Sequence, residues 1–351
     1  MKKISLCMIV RDEEDVLERC LKSVKDIPDE IIIVDTGSID KTKEIAKKFT
    51  NKIYDFKWVD DFAEARNYSF SKATKDYIMW LDADDVIEEE EYKKFIELKK
   101  NLDSSVDVYM LKYQTDANTS FYRERLLKRK DNFKWVSPIH EVIVPRGNIQ
   151  YFDITITHKK EKVKDYNRNL KIFRKMIAEG IEFDDRQEYC YAKELYYLNR
   201  TEEAIEVYER YIEKHIGKYN EYNGYLYEAL IELADCYKRK VEIDKELDTL
   251  FLILKNQIPK MDCLNKIGDV FLRKNLYKVA IYWFNLALEK MKEEVENKNE
   301  LFITYVSLGV CYYWLGDIKE ANKYNEEAGK LKNNDETYLK NREIYMGNIT
   351  E

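Results

Sequence analysis

Hydrophobic positions change their rhythm near residue 165. Before it, short apolar runs alternate with amphipathic stretches; after it only helical spacing remains. The first run, ISLCMIV at 4–10, predicts a buried strand, and Val16, Leu17, Cys20, Leu21 and Val24 follow at helical spacing until Pro28. Residues 30–34 predict a second strand, Asp35-Thr36-Gly37-Ser38 a turn, and Ser38 or Asp40 the cap of a helix running to Phe49. A short strand at 52–56 leads to a helix carrying Phe62, Ala65, Arg66, Tyr68, Ser69 and Ala73. Residues 77–81, YIMWL, are apolar on both faces, as a strand inside a parallel sheet is. IEEEEYKKFIELKK then reads as a helix, 106–113 as a strand, and 154–158 as a last strand ending in His158. This order predicts an α/β domain with a mixed, Rossmann-like sheet over 1–165.

From Tyr166 the chain reads as a connecting helix to 185 and then as helical repeats over 186–351. Gly268, Phe271, Ala280 and Ala287 recur 41 residues later as Gly309, Tyr312, Ala321 and Ala328. Ala234 precedes Gly268 by 34 residues, and an earlier copy is expected at 192–211 with Ala204 and Tyr208. Small residues at these positions let paired helices approach, and the segments resemble tetratricopeptide repeats. The many tyrosines predict a surface able to grip an extended peptide or a second copy of the chain, beside their ordinary use in core packing.

Candidate chemistry starts where the run at 77–81 ends, in Asp82, Ala83, Asp84 and Asp85. Ligands of open α/β sheets bind beyond the carboxyl ends of the strands. Carboxylates two apart there can share Mg²⁺ or Mn²⁺ with the phosphates of a substrate. Capping of the next helix by Asp84 or Asp85 is an equally open use. Asp35 ends its strand, placed to accept from a base or ribose, and Gly37 lets the backbone turn beside a ligand. Arg66 is a cation on a helix of mostly small and apolar residues; a diphosphate clamp and an ion pair with Asp60 or Asp61 are both open. Arg125 belongs with Arg123, Lys128 and Arg129 to a cationic strand, for which a solvated edge and a phosphate contact are the alternatives.

The order IVRDEE, VDTGSIDKT, DDFAEARNYS, WLDADD over roughly 4–90 resembles the N-terminal half of family 2 glycosyltransferases of the GT-A fold. The resemblance implies a nucleotide-sugar donor, a UDP-sugar by prior, with Val10, Arg11, Glu13, Asp35, Gly37, Arg66, Asp82, Ala83 and Arg125 around it. It makes Asp82-Ala83-Asp84 the D-x-D motif and so favours metal at Asp84. Inverting transfer needs a carboxylate to take the acceptor's proton, and Glu141, after His140, is the candidate. A late histidine can complete a GT-A metal shell, which assigns that role to His158 beside Asp82 and Asp84. The family's usual Glu-Asp base motif is not recognisable. A repeat module behind such a domain implies a protein or peptide acceptor, as in enzymes that glycosylate flagellin or bacteriocin peptides.

Composition narrows the setting. Lys and Arg number 60 against 67 Asp and Glu, interspersed, which leaves no nucleic-acid footprint. Cys7, Cys20, Cys190, Cys236, Cys263 and Cys311 are scattered without a C-x-x-C pair, as thiols of a reducing, cytoplasmic compartment are. MKK before ISLCMIV imitates a signal peptide, but seven apolar residues are too few, and no stretch nears the roughly 20 a membrane helix needs. Rival readings are a transferase for a cell-envelope glycan or glycolipid, a non-catalytic repeat scaffold with a degenerate transferase domain, and a nucleotidyltransferase, whose glycine- and lysine-rich loop is missing at Arg11-Asp12-Glu13-Glu14.

Overall fold

The computed structural model describes residues 2–116, 119–159, 166–217, 225–290 and 297–347. Two compact units divide the chain, Met1–Glu182 and Phe183–Glu351. In the first, β1 (Ile4–Val10), α1 (Leu17–Ser23), β2 (Glu30–Asp35), α2 (Thr42–Ala46), β3 (Ile53–Asp55), α3 (Phe62–Ser71) and β4 (Tyr77–Trp80) follow one another as strand and helix in turn. Then come β5 (Asp85–Val86), α4 (Glu89–Lys100), β6 (Val108–Gln114), β7 (Ser120–Lys128), β8 (Trp135–Val136), β9 (Val142–Ile143), β10 (Ile149–His158) and α5 (Tyr166–Ala178).

Eight strands form one sheet in the order β3-β2-β1-β4-β7-β6-β10-β5, and β8 pairs with β9 separately. β1 to β4 run parallel, β7 enters antiparallel to β4, and β5 closes the edge antiparallel to β10. The sheet is mixed and covered on both faces, which is why its central runs lack a polar alternation. Ile4, Leu6, Met8, Tyr77 and Met79 pack with Leu17, Leu21, Phe95 and Leu98 on one face. Cys7, Ile78 and Trp80 pack with Ala63, Phe70 and Trp135 on the other.

Two expectations about helix starts change. α4 begins at Glu89 after the short strand β5, so neither Asp84 nor Asp85 caps it. α2 ends at Ala46 rather than Phe49; Asp40 accepts from the Thr42 amide, and no side chain caps the helix at Lys41.

The second unit is wholly helical among the described residues: α6 (Asp185–Tyr197), α7 (Thr201–His215), α8 (Leu226–Arg239), α9 (Ile243–Asn256), α10 (Met261–Arg273), α11 (Tyr277–Lys290), α12 (Lys298–Trp314), α13 (Ile318–Leu331) and α14 (Glu336–Gly347). The first eight pair in sequence, and the small residues lie at the pair contacts. Ala204, Ala280, Ala287, Ala321 and Ala328 have no exposed surface. A Cβ on Gly268 would meet the Phe284 ring at 2.6 Å, and one on Gly309 the Ala321 carbonyl oxygen at 3.1 Å. The repeat positions read from the sequence are therefore tetratricopeptide-like close-packing positions. Among the described residues no helix is long and apolar enough to cross a membrane.

Candidate functional site

Strand register gathers the candidate residues at one edge of the first unit. β1 and β2 end together, Val10 opposite Asp35, and β4 ends two residues before Asp82. On the far edge His158 pairs directly with Asp85 across β10 and β5. The Tyr113 hydroxyl donates to Asp85 Oδ1 at 3.0 Å and lies 3.0 Å from His158 Nδ1. His158 Nδ1 is 3.3 Å from Asp84 Oδ1 and 3.5 Å from Asp85 Oδ1. Hydrogen bonds to Asp84 and then Asp85 raise the His158 pKa to about 9 against the opposing effect of burial, leaving the metal-free imidazole protonated at neutral pH.

Asp84, Asp85 and His158 offer three ligand atoms within 4.8 Å of one another, a set of two oxygens and one nitrogen that suits a divalent cation. Asp85 is also the anchor of this cluster. It has no exposed surface and accepts from Arg125 Nη1 at 3.1 Å. Asp84 and His158 are each about a quarter exposed, so they are the two members facing outward.

Arg125 departs from both sequence alternatives. Pairing passes from Tyr109 opposite Leu126 to Met110 opposite Glu124, which leaves Arg125 as the extra residue of a β-bulge. Such a bulge re-aims a side chain. The guanidinium has no exposed surface, lies 3.8 Å from the Trp80 ring centroid and 4.4 Å from that of Tyr113, and donates from Nη1 to the Trp80 carbonyl. It is neither a solvated edge nor open to a phosphate.

Arg66 lies one turn into α3, whose cap is Asp61, accepting from the Glu64 amide at 2.8 Å. Its partners are not Asp60 or Asp61. Nη2 donates to Asp82 Oδ1 at 2.7 Å and Nε to Glu141 Oε1 at 2.6 Å. The Trp135 and Trp80 rings flank it at 4.7 and 5.3 Å. Burial acts to raise the Asp82 pKa, and the Arg66 guanidinium overrides it and holds the carboxyl below its ordinary range. Asp82 is thus committed to Arg66, and Asp85 rather than Asp82 stands with Asp84 and His158.

His140 and Glu141 are neighbours that diverge. His140, at φ 51°, sets its ring 6.2 Å from that of Phe173, whereas Glu141 turns to Arg66. Asp35 is buried, and its carboxylate accepts from the Gly37 and Ser38 amides at 3.1 Å, closing the turn in which Gly37 has φ 108°. The Val10 carbonyl accepts from the Thr36 amide, and the Glu13 amide donates to Thr42 Oγ1. Arg11 is exposed at the mouth of these loops, and Ala83 is buried. Sequence reading missed Tyr113, Trp80 and Trp135 as parts of the site and gave Asp85 no role in it. The run WLDADD carried a signal for Asp85; Tyr113 sat within an ordinary strand pattern.

The first unit is thus an α/β domain whose mixed sheet carries an acidic, histidine-bearing cluster at the carboxyl ends of its strands. The profile described as Glycosyl transferase family 2 matches residues 5–181, half of the chain, and the chain belongs to that family. It is 41% identical over 147 residues to a TPR repeat-containing protein of Synechococcus elongatus, a match covering 41% of this chain and 36% of that one. It is 27% identical over 276 residues to the SPbeta prophage-derived glycosyltransferase SunS of Bacillus subtilis, covering 73% of this chain and 64% of that one. The chain therefore spans less than two thirds of the length of either relative. Among solved structures, MamA aligns over 48% of this chain and 84% of its own at 18% identity and a TM-score of 0.39. The Cut9–Hcn1 hetero-tetramer of the APC/C aligns over 53% and 34% at 17% identity and a TM-score of 0.43. Both scores fall below 0.5, and the repeat assignment rests on the helix pairs themselves.

Proposed function

We propose that the chain is a metal-dependent, inverting glycosyltransferase that moves a sugar from a nucleotide sugar, a UDP-sugar, to a protein or peptide acceptor presented by its helical repeats. The observation that carries this reading is the convergence of Asp82, Arg66 and Glu141 on one side of the β4 edge and Asp84 with His158 on the other. Six cysteines free of disulfides agree with a cytoplasmic setting.

Asp84 and His158 would hold the cation, with Asp85 behind them fixed by Arg125 and Tyr113. When bound, a divalent ion would neutralise the departing diphosphate. The chain's own residues do the rest. Arg66 sits where a diphosphate can draw it away from Asp82. Glu141, released from Arg66 by the same exchange, becomes free to accept a proton from the acceptor's hydroxyl or thiol as that atom attacks the anomeric carbon. Trp80 and Trp135 flank the Arg66 guanidinium and lower the local dielectric, so its charged contacts are worth more there than in bulk water.

The test is release of nucleoside diphosphate from UDP-glucose, UDP-N-acetylglucosamine, UDP-galactose and GDP-mannose, with Mn²⁺ or with chelator, by wild type and Asp84→Ala. One donor is expected to be hydrolysed slowly in Mn²⁺, with a loss of about 10²-fold in the mutant and in chelator. No release and no thermal shift with any donor would leave a scaffold.

A further inference from the structure

Helix α5 belongs to the first unit but to neither the sheet nor the D-x-D edge, and three of its side chains reach two short segments. Leu170, Ile172, Phe173 and Met176 are buried, Phe173 completely. The Phe173 ring lies against the His140 imidazole, 6.2 Å between centroids and 31° between planes. Lys175 Nζ donates to the Val59 carbonyl at 3.0 Å and to Asp60 Oδ2 at 2.9 Å, and the Arg168 guanidinium lies 4.7 Å over the Phe62 ring. The segments it grips, 58–62 and 137–141, are joined by the Phe62 amide donating to the Pro138 carbonyl at 2.8 Å.

Each segment feeds the site within a few residues. Asp61 caps the helix that carries Arg66, and His140 precedes Glu141. Each also carries left-handed residues that are not glycine: Asp60 at φ 64°, Ser137 at 79° and His140 at 51°. Such conformations are unfavourable and persist only where the surroundings impose them. The Lys175–Asp60 pair is nearly half exposed and weak by itself, whereas Phe173, against His140, is fully buried.

We propose that α5 is the positioning element of the Arg66–Glu141 pair, with Phe173 as its principal positioning residue and Lys175 as the second. By fixing both segments in their left-handed turns, α5 sets where the Glu141 carboxylate and the Arg66 guanidinium meet. A displacement of about 1 Å at a reacting group costs on the order of 10²-fold in rate, so this control acts chiefly on turnover, through Glu141, and only secondarily on donor binding, through Arg66. The functional part rests on Glu141 as the base.

The test is hydrogen–deuterium exchange of the full chain, which needs no substrate, paired with Mn²⁺-dependent hydrolysis of whichever of UDP-glucose and UDP-N-acetylglucosamine the wild type cleaves. Phe173→Ala is expected to speed exchange about tenfold or more in 58–64 and 137–143 while β1 and β2 are unchanged. It should lower kcat roughly 10- to 100-fold with donor KM within about threefold, and Phe173→Leu should recover most of both. Should Phe173→Ala fail to fold, Lys175→Met with Arg168→Met is read instead, with a smaller rise in exchange, about two- to threefold, expected in 58–64 from these exposed contacts. Unchanged exchange in both segments, or kcat and KM falling together without recovery by leucine, overturns the proposal. Full activity in Glu141→Gln would remove the base reading but not the exchange result; an inactive Glu141→Gln beside an unaffected Phe173→Ala would remove the role of α5 alone.

Discussion

Arg125 and Asp85 meet 3.1 Å apart with no exposed surface on either, whereas Lys238 and Asp269, on neighbouring helices of the second unit, meet at 2.7 Å with a third to a half of each side chain in water. The pair of the first unit is buried and this pair of the second is displayed. A pair in water contributes a fraction of a kcal/mol, and a repeat array can carry many such pairs at little risk. Burying one costs several kcal/mol per ion, and an apolar substitute packs as well or better, so stability alone gives poor reason to keep it. In the first unit the buried pair stands directly behind Asp84 and His158, where a fixed carboxylate has a chemical use. The second unit obtains its order from shape instead, through glycine and alanine at the helix contacts.

The largest effect expected from this contrast is at Arg125. Arg125→Met removes the fully buried cation from Asp85 and leaves it only Tyr113 and His158, a loss of about 3 kcal/mol, while Lys238→Met should cost under about 1 kcal/mol. Urea denaturation followed by hydrogen exchange on peptides of β4 and of α8 reads the two units separately, which a chain of two units requires. Equal and small shifts would erase the distinction between the two pairs.

A smaller effect tests the shape side. Gly268→Ala places a methyl 2.6 Å from Phe284, inside any tolerable contact, and overpacking of this kind costs about 1–3 kcal/mol. Phe284→Leu in the same chain should restore part of the loss, measured as the denaturation midpoint of α10 and α11. A neutral Gly268→Ala would mean that the pair contact is looser than the repeat positions imply.

How far the sequence foretold these features follows from the range of the interactions involved. Residues 77–81 announced themselves because a strand covered on both faces needs no partner to be recognised, and the repeat was legible because Gly268 and Gly309 solve the same local problem twice. Arg66 illustrates the limit. Asp60 and Asp61 were its neighbours in sequence, but Asp82 and Glu141 are brought to it by β4 and by the β8–β9 hairpin, 16 and 75 residues away. Arg125 was hidden for another reason: a bulge changes which face a residue occupies, and strand alternation cannot show it. Asp85 was visible as chemistry but not as an anchor, since that role depends on Arg125 and Tyr113 from two other strands.

The smallest effect concerns how the repeats turn. Asn199, Val241, Asn275 and Gly316 all have positive φ, 55°, 60°, 58° and 83°, and each closes the first helix of a pair. The bonds around them match. The amides of Asn199, Val241, Asn275 and Gly316 donate to Tyr196, Lys238, Leu272 and Tyr313, and the next amides, Arg200, Glu242, Leu276 and Asp317, reach back to Leu195, Tyr237, Phe271 and Tyr312. These are four Schellman closures, and three of them use a residue suited to the left-handed region. Val241 does not suit it, because a β-branched side chain crowds the backbone there. Its side chain is 73% exposed, so little packing offsets the strain. Val241→Asn should therefore stabilise the second unit by about 1 kcal/mol, and Asn275→Val should destabilise it by a similar amount. Both are read as shifts of the denaturation midpoint of α8 to α11. A fall in midpoint for Val241→Asn would show that the exposed valine contributes a contact outweighing its strain.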